Sequence, residues 1–264
     1  MIRSFFIALS ITLIWILPSV IQGQQSEFGS SSEEEGALIG ILYDLKQDQQ
    51  GRPSDVTELN YRDVLGEFLA SDWDEHILSK YFRVSRPVYA TRICIPIMQA
   101  VQAPESFGVA EVVEPRLWVV HYKGQVVAPM DGVYRLAGYA DDFIAARING
   151  KTVLMNGRTG SIPRNYQWEN PGRFGMRVGN GRIRYGHWLT LKKGEVIDLD
   201  VLIGERPGGG FGAWLYVERE GETYPSWQSF PILPILQLLD EDIEISGNFR
   251  AAPPRESSVW KALK

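Results

Sequence analysis

The chain has 264 residues and a formal net charge of −5, from 27 Lys and Arg against 32 Asp and Glu. Phosphate-backbone recognition needs a basic face, so this balance excludes a general nucleic-acid binder. A single cysteine, Cys94, excludes an internal disulfide and leaves stability to the packing of the 44% of residues that are apolar; Cys94 itself reads as a small buried side chain.

Residues 1–23 hold one basic side chain, Arg3, then a mostly apolar run from Phe5 to Ile21. This is the pattern of an export signal cut near Gly23-Gln24, or of an anchor helix left attached; the latter would be the chain's one membrane contact. Either way the chain is expected outside the cytoplasm, in the periplasm, at the cell surface or in the medium. Residues 24–36 are polar, acidic and of low complexity, and read as a flexible linker. Residues 37–249 are long enough for one large domain, and residues 250–264, rich in Pro and Ser at their start, read as a disordered tail.

Within the domain, Gly36 to Leu45 is an apolar run of strand length. Tyr61, Val64, Leu65, Phe68 and Leu69 then recur at helical spacing, with Asn60, Thr57 or Ser54 available as caps. From Tyr81 the period becomes two: Ile93, Ile95 and Ile97 share one face, as do Trp118, Val120 and Tyr122. Asn149-Gly150 supplies the positive φ angles of a tight hairpin between Phe143–Ile148 and Thr152–Met155. Further strands are expected at His187–Leu191, Val196–Ile203, Ala213–Arg219 and Ile232–Leu236. The glycine-rich stretch from about 156 to 186 shows no period and is expected to be an insertion over one end. Many short strands with one or two helices predict an all-β fold, an antiparallel β-sandwich.

Trp118-Val-Val-His-Tyr-Lys-Gly124, Ala128-Pro129-Met-Asp-Gly132-Val-Tyr134-Arg135, Ala140-Asp141-Asp142-Phe143 and Ile148-Asn149-Gly150-Lys151 together resemble the PA-fourteen domain, the sandwich of anthrax protective antigen and of flocculin and adhesin sugar-binding domains. The opening Tyr43-Asp44-Leu45-Lys46-Gln47 resembles a bacterial envelope variant of that family. The resemblance implies a β-sandwich that binds glycans. It further implies that two adjacent aspartates, often joined by a cis peptide, hold a Ca²⁺ ion that grips sugar hydroxyls; Asp141 and Asp142 match that pair. The family's second calcium loop is not matched. In its place stand Glu205, which offers a carboxylate, and Arg206, which opposes a cation. Asp141 and Asp142 therefore either hold calcium, with Glu205 as a third ligand, or fix a turn through backbone N–H groups.

Between Met155 and Thr190 stand Arg158, Arg164, Arg173, Arg177, Arg182 and Arg184 against one acid, Glu169, interleaved with Tyr166, Trp168, Phe174, Tyr185 and Trp188. Arginines beside aromatic rings suit a ligand that carries carboxylate or sulfate, and Trp168, Arg173, Arg177 and Arg182 are the candidate contacts. The same residues also suit a solvated loop paired with the acidic body. Enzyme motifs are weak. Gly208 to Ala213 spells a dinucleotide fingerprint but leads into a strand, where a helix is required. His76, His121 and His187 lie too far apart for a short metal spacing, and no Gly-x-Ser-x-Gly elbow is present. The expectation is a non-catalytic binding module with a glycan partner, the alternative being an assembly component of an envelope protein complex. The number of copies in the assembly is left open by the sequence.

Overall fold

The computed structural model describes residues 25–240 and 259–263. The expected signal or anchor at 1–23 and most of the expected tail lie outside the described residues. The chain opens with a small hairpin, β1 (Gln25–Ser26) and β2 (Gly29–Ser30), then β3 (Leu38–Asp44). Helices α1 (Tyr61–Ala70) and α2 (Glu75–Ser79) follow, then β4 (Phe82–Arg83), β5 (Val88–Ala90), β6 (Cys94–Gln99) and α3 (Gln102–Ser106). The body continues through β7 (Trp118–Val127), β8 (Gly132–Asp141), β9 (Phe143–Ile148), β10 (Lys151–Gly157), β11 (Phe174–Val178) and β12 (Gly181–Tyr185). It closes with β13 (Leu189–Leu191), β14 (Val196–Glu205), β15 (Gly210–Arg219), the pair β16 (Ser226–Trp227) and β17 (Phe230–Pro231), and β18 (Lys261–Leu263).

These strands form two antiparallel sheets. One runs β1-β2-β5-β3-β7-β14-β9-β10, with β18 also on β7 and β4 on β3; the other runs β11-β12-β8-β15-β6, with β13 on β8. The sheets pack face to face, and at Gly138 they come so close that an added Cβ would stand 2.8 Å from the Leu154 side chain. Apolar residues of both inner faces, among them Leu136, Phe211, Ile144 and Leu154, join one buried core. The expected all-β sandwich is thus the observed fold.

Helix α1 covers the outer face of the larger sheet, as its five periodic residues require; all five are buried. Its first residue, Tyr61, donates its hydroxyl to the Trp118 carbonyl at 3.2 Å. Gly204 permits that approach, since a Cβ there would lie 2.2 Å from the same hydroxyl. Asn60 does not cap the helix with its side chain, which instead accepts from the Thr57 N–H at 2.6 Å. Beneath the helices, His121 meets Asp200 at 2.8 Å and Arg147 meets the other oxygen of Asp200 at 3.0 Å, so His121 belongs to a structural charge network.

Four expectations are corrected. The linker is not free of the fold: residues 25–30 make the β1–β2 hairpin, and Phe28 is 1% exposed, stacked on Phe211 at 5.8 Å and edge-on to Trp118. The segment from 156 to 186 is not wholly an insertion, since β11 and β12 extend the smaller sheet and residues 158–173 form the loop between β10 and β11. Ile232–Leu236 forms no strand: within it only Ile235 makes an isolated bridge, to Tyr216, and Pro234 has no N–H to give to a ladder. The end of the tail is ordered: β18 pairs with β7, and Trp260 is buried against Tyr134 with ring centroids 5.2 Å apart.

Candidate functional site

Sheet register builds the site. The hairpin turn uses Asn149 at φ 47° and Gly150 at φ 78°, as its sequence requires. It returns β10 along β9, and a register shift between Thr152 and Leu154 sets Gly157 opposite Phe143. On the other side of β9, β14 sets Gly204 opposite Phe143. One residue further along each strand, Asp142 is therefore flanked by Arg158 on one side and Glu205 on the other. The Arg158 N–H donates to the Asp142 carbonyl at 2.8 Å. Asp141 ends β8, so both aspartates and Glu205 lie at one end of the sandwich, and the Asp141–Asp142 peptide is cis.

The three carboxylates are nearly sealed, with Asp141 4%, Asp142 1% and Glu205 1% exposed. Arg158 bridges the aspartates, its Nη1 3.2 Å from Asp141 Oδ1 and its Nε 3.5 Å from Asp142 Oδ1. Asn180 Nδ2 donates to Asp141 Oδ2 at 3.2 Å. The turn-fixing role foreseen for the aspartates is partly realised, because the Arg206 N–H donates to Asp142 Oδ2 at 3.1 Å. The Gly208 N–H donates to Glu205 Oε1 at 2.8 Å, so both acids fasten the loop from β14 to β15. Burial pushes the Glu205 carboxyl up to about 9, helped by the charge of Asp142, and pushes Asp142 up to about 6.

Two buried oxygens, Asp142 Oδ1 and Glu205 Oε2, lack a hydrogen-bond donor. With Asp141 they offer hard oxygens and excess negative charge, and in donor type this suits Ca²⁺. The three do not form a closed cage: among the described residues no group of three or more His, Cys, Asp or Glu side chains is arranged to hold a metal. Arg158 stands as the competing cation, and a calcium ion would have to displace it.

The sequence-predicted basic residues divide into two groups. Arg177 and Arg182 line a cavity of about 420 Å³ at the open edge between the sheets, together with Arg158, Arg184, Phe174 and Asn180. Arg173 does not line it and stacks on the Tyr185 ring at 4.8 Å. Trp168 stands elsewhere, edge-on to His187 at 5.5 Å, in a separate cavity of about 410 Å³ beside Trp73 and Tyr166. Tyr185 and Trp188 serve the fold by sandwiching the Arg135 guanidinium, each ring 4.2 Å from it. Arg158, Arg184 and Asn180 were not singled out from sequence. The available signal for Arg184 was its place two residues from Arg182 on the same face, whereas Arg158 reaches Asp142 only through the register shift in β10.

No family model matches the chain, and no curated protein matches it. Among solved structures it is similar to the PA14 sugar-binding domain from an RTX adhesin, at 16% identity and a TM-score of 0.45, over 74% of this chain and 96% of that one. It is also similar to the PA14 domain of the MpAFP antifreeze protein, at 14% identity and a TM-score of 0.41, over 73% and 87% of the two chains. The epithelial adhesin 6 A domain from Candida glabrata, solved with Galb1-3GlcNAc, matches at 10% identity and a TM-score of 0.40, over 77% and 88%. Among the described residues, no helix is long and apolar enough to cross a membrane.

Proposed function

We propose that this chain is an exported, non-catalytic carbohydrate-binding module that takes its ligand at the rim beside Asp141 and Asp142. The observation that carries the reading is the adjacency of a sealed acid cluster and an open cavity. Arg158 and Asn180 line the cavity and are both held from behind by Asp141. Donors fixed in this way present N–H groups to sugar hydroxyls at little cost in side-chain entropy. Phe174, 46% exposed at the cavity wall, offers a face for the apolar side of a ring. Asp142 and Glu205 are buried and committed to backbone N–H groups, which favours binding over bond cleavage.

Asp141 and Asp142 are the residues that would hold Ca²⁺, with Glu205 beside them. The ion, when bound, supplies open coordination positions for sugar hydroxyls. The test is a glycan array probed with the parent and with the double variant Asp141→Asn/Asp142→Asn, each in calcium and in EDTA. The parent is expected to retain a glycan that the double variant loses by roughly tenfold or more, the scale of a hydrogen bond to a charged group. Loss in EDTA assigns the ion a part in binding, whereas retention assigns the grip to Arg158. Equal binding by parent and double variant would remove the rim from the account.

A further inference from the structure

The cavity wall carries more positive charge than the fold uses. Antiparallel pairing sets Arg177 directly across from Arg182, and Arg184 lies two residues along the same strand on the same face. Like charges opposite each other on neighbouring strands destabilise a hairpin. Acidic residues elsewhere outnumber basic ones, so counter-charges were available to this chain. Yet among the described residues Arg177, Arg182 and Arg184 have no acidic partner within ion-pair distance, while Arg158, on the same cavity, has two. Arg184 is the clearest case. Its Nε is buried without a hydrogen-bond acceptor, its guanidinium lies 4.4 Å from the Phe174 ring, and desolvation lowers its pKa. A half-buried guanidinium whose Nε meets no protein acceptor is well suited to pair with an anion.

We infer that Arg177, Arg182 and Arg184 select an anionic saccharide, one that bears carboxylate or sulfate on its rings, with Phe174 stacked against a ring. This rests on the carbohydrate-binding reading and adds the ligand's charge to it. The forked guanidinium donors match the two oxygens of a carboxylate, or two of the three of a sulfate, at fixed spacing. The aromatic wall and the open edge suit a chain of rings better than a free inorganic ion. The chain's net negative charge keeps recognition local to this cavity.

The experiment measures binding by calorimetry to two charged probes, each against its neutral counterpart: oligogalacturonate against its full methyl ester, and sialyllactose against lactose. The parent and the double variant Arg177→Gln/Arg182→Gln are both titrated. The parent is expected to bind at least one charged probe roughly tenfold or more above its neutral counterpart. The variant is expected to lose that preference and to melt no lower than the parent, since a repulsive pair has been removed. The preference should also shrink as salt rises. Equal binding of charged and neutral probes, or a preference unchanged in the variant, would overturn the inference and leave the carbohydrate reading intact. Binding to none of the four probes, with no retention on the glycan array, would overturn both.

Discussion

Replacing Glu205 by Gln is expected to make the protein more stable at neutral pH and to flatten its dependence on pH, measured by thermal melting in EDTA. The Glu205 carboxyl is pushed to about 9 in the folded chain against an ordinary value of 4.5. Between those values the folded state keeps a proton that the unfolded chain has released. Stability from this group is therefore full below about 4.5 and is lost as pH rises through about 9. At pH 7 the loss is on the order of 3 kcal/mol, or roughly 6–12 °C in melting temperature for a domain of this size. Asp142, raised to about 6, adds a smaller loss of the same sign below neutrality. Glutamine keeps an oxygen for the Gly208 N–H and carries no charge at any of these pH values. Parallel melting curves for parent and Glu205→Gln from pH 5 to 9 would show that the buried carboxyl does not hold its proton.

Phe28→Ala is expected to lower stability by about 3–5 kcal/mol in urea unfolding, the usual scale for truncating a fully buried aromatic residue. Its ring joins Phe107, Trp118 and Phe211 in a cluster, and Tyr122 donates its hydroxyl to the Phe28 carbonyl at 3.0 Å. Gly29, beside it, lies at φ 132° with its missing Cβ 2.7 Å from the Tyr89 carbonyl oxygen, so the hairpin is seated directly on β5. A free linker would instead tolerate Phe28→Ala with no change in the unfolding midpoint.

The same residues show what the sequence made legible. Phe28 sits in a polar stretch where composition argues for disorder, and one apolar side chain gives no period to detect. Helix α1 could be read because Tyr61 through Leu69 repeat at its spacing over about two and a half turns. The hairpin at Asn149-Gly150 could be read because positive φ selects those residues. The β11–β12 hairpin could not: Val178, Ile183 and Tyr185 are buried in alternation, but a register shift between Phe174 and Arg177 breaks the period, and the exposed positions carry arginine.

The site was legible in part. Asp141 and Asp142 stood out as a pair, and Glu205 was named as their neighbour. Counting back from an ideal two-residue turn places Gly157 beside Asp142. The shift between Thr152 and Leu154 moves the register by one and brings Arg158 there instead. Bulges of this kind depend on packing between the sheets, which a single strand's pattern does not record. Trp168 was grouped with the arginines because it is near them in sequence, yet the loop after β10 carries it to the other cavity.

Hydrogen exchange in the presence of a glycan recovered from the array tests most directly whether the rim is the binding site. Protection is expected in residues 156–159 and 177–184, the two segments that frame the arginine-lined cavity. Protection confined to residues 69–73 and 166–169, around Trp168, would place the ligand in the other cavity and contradict the account.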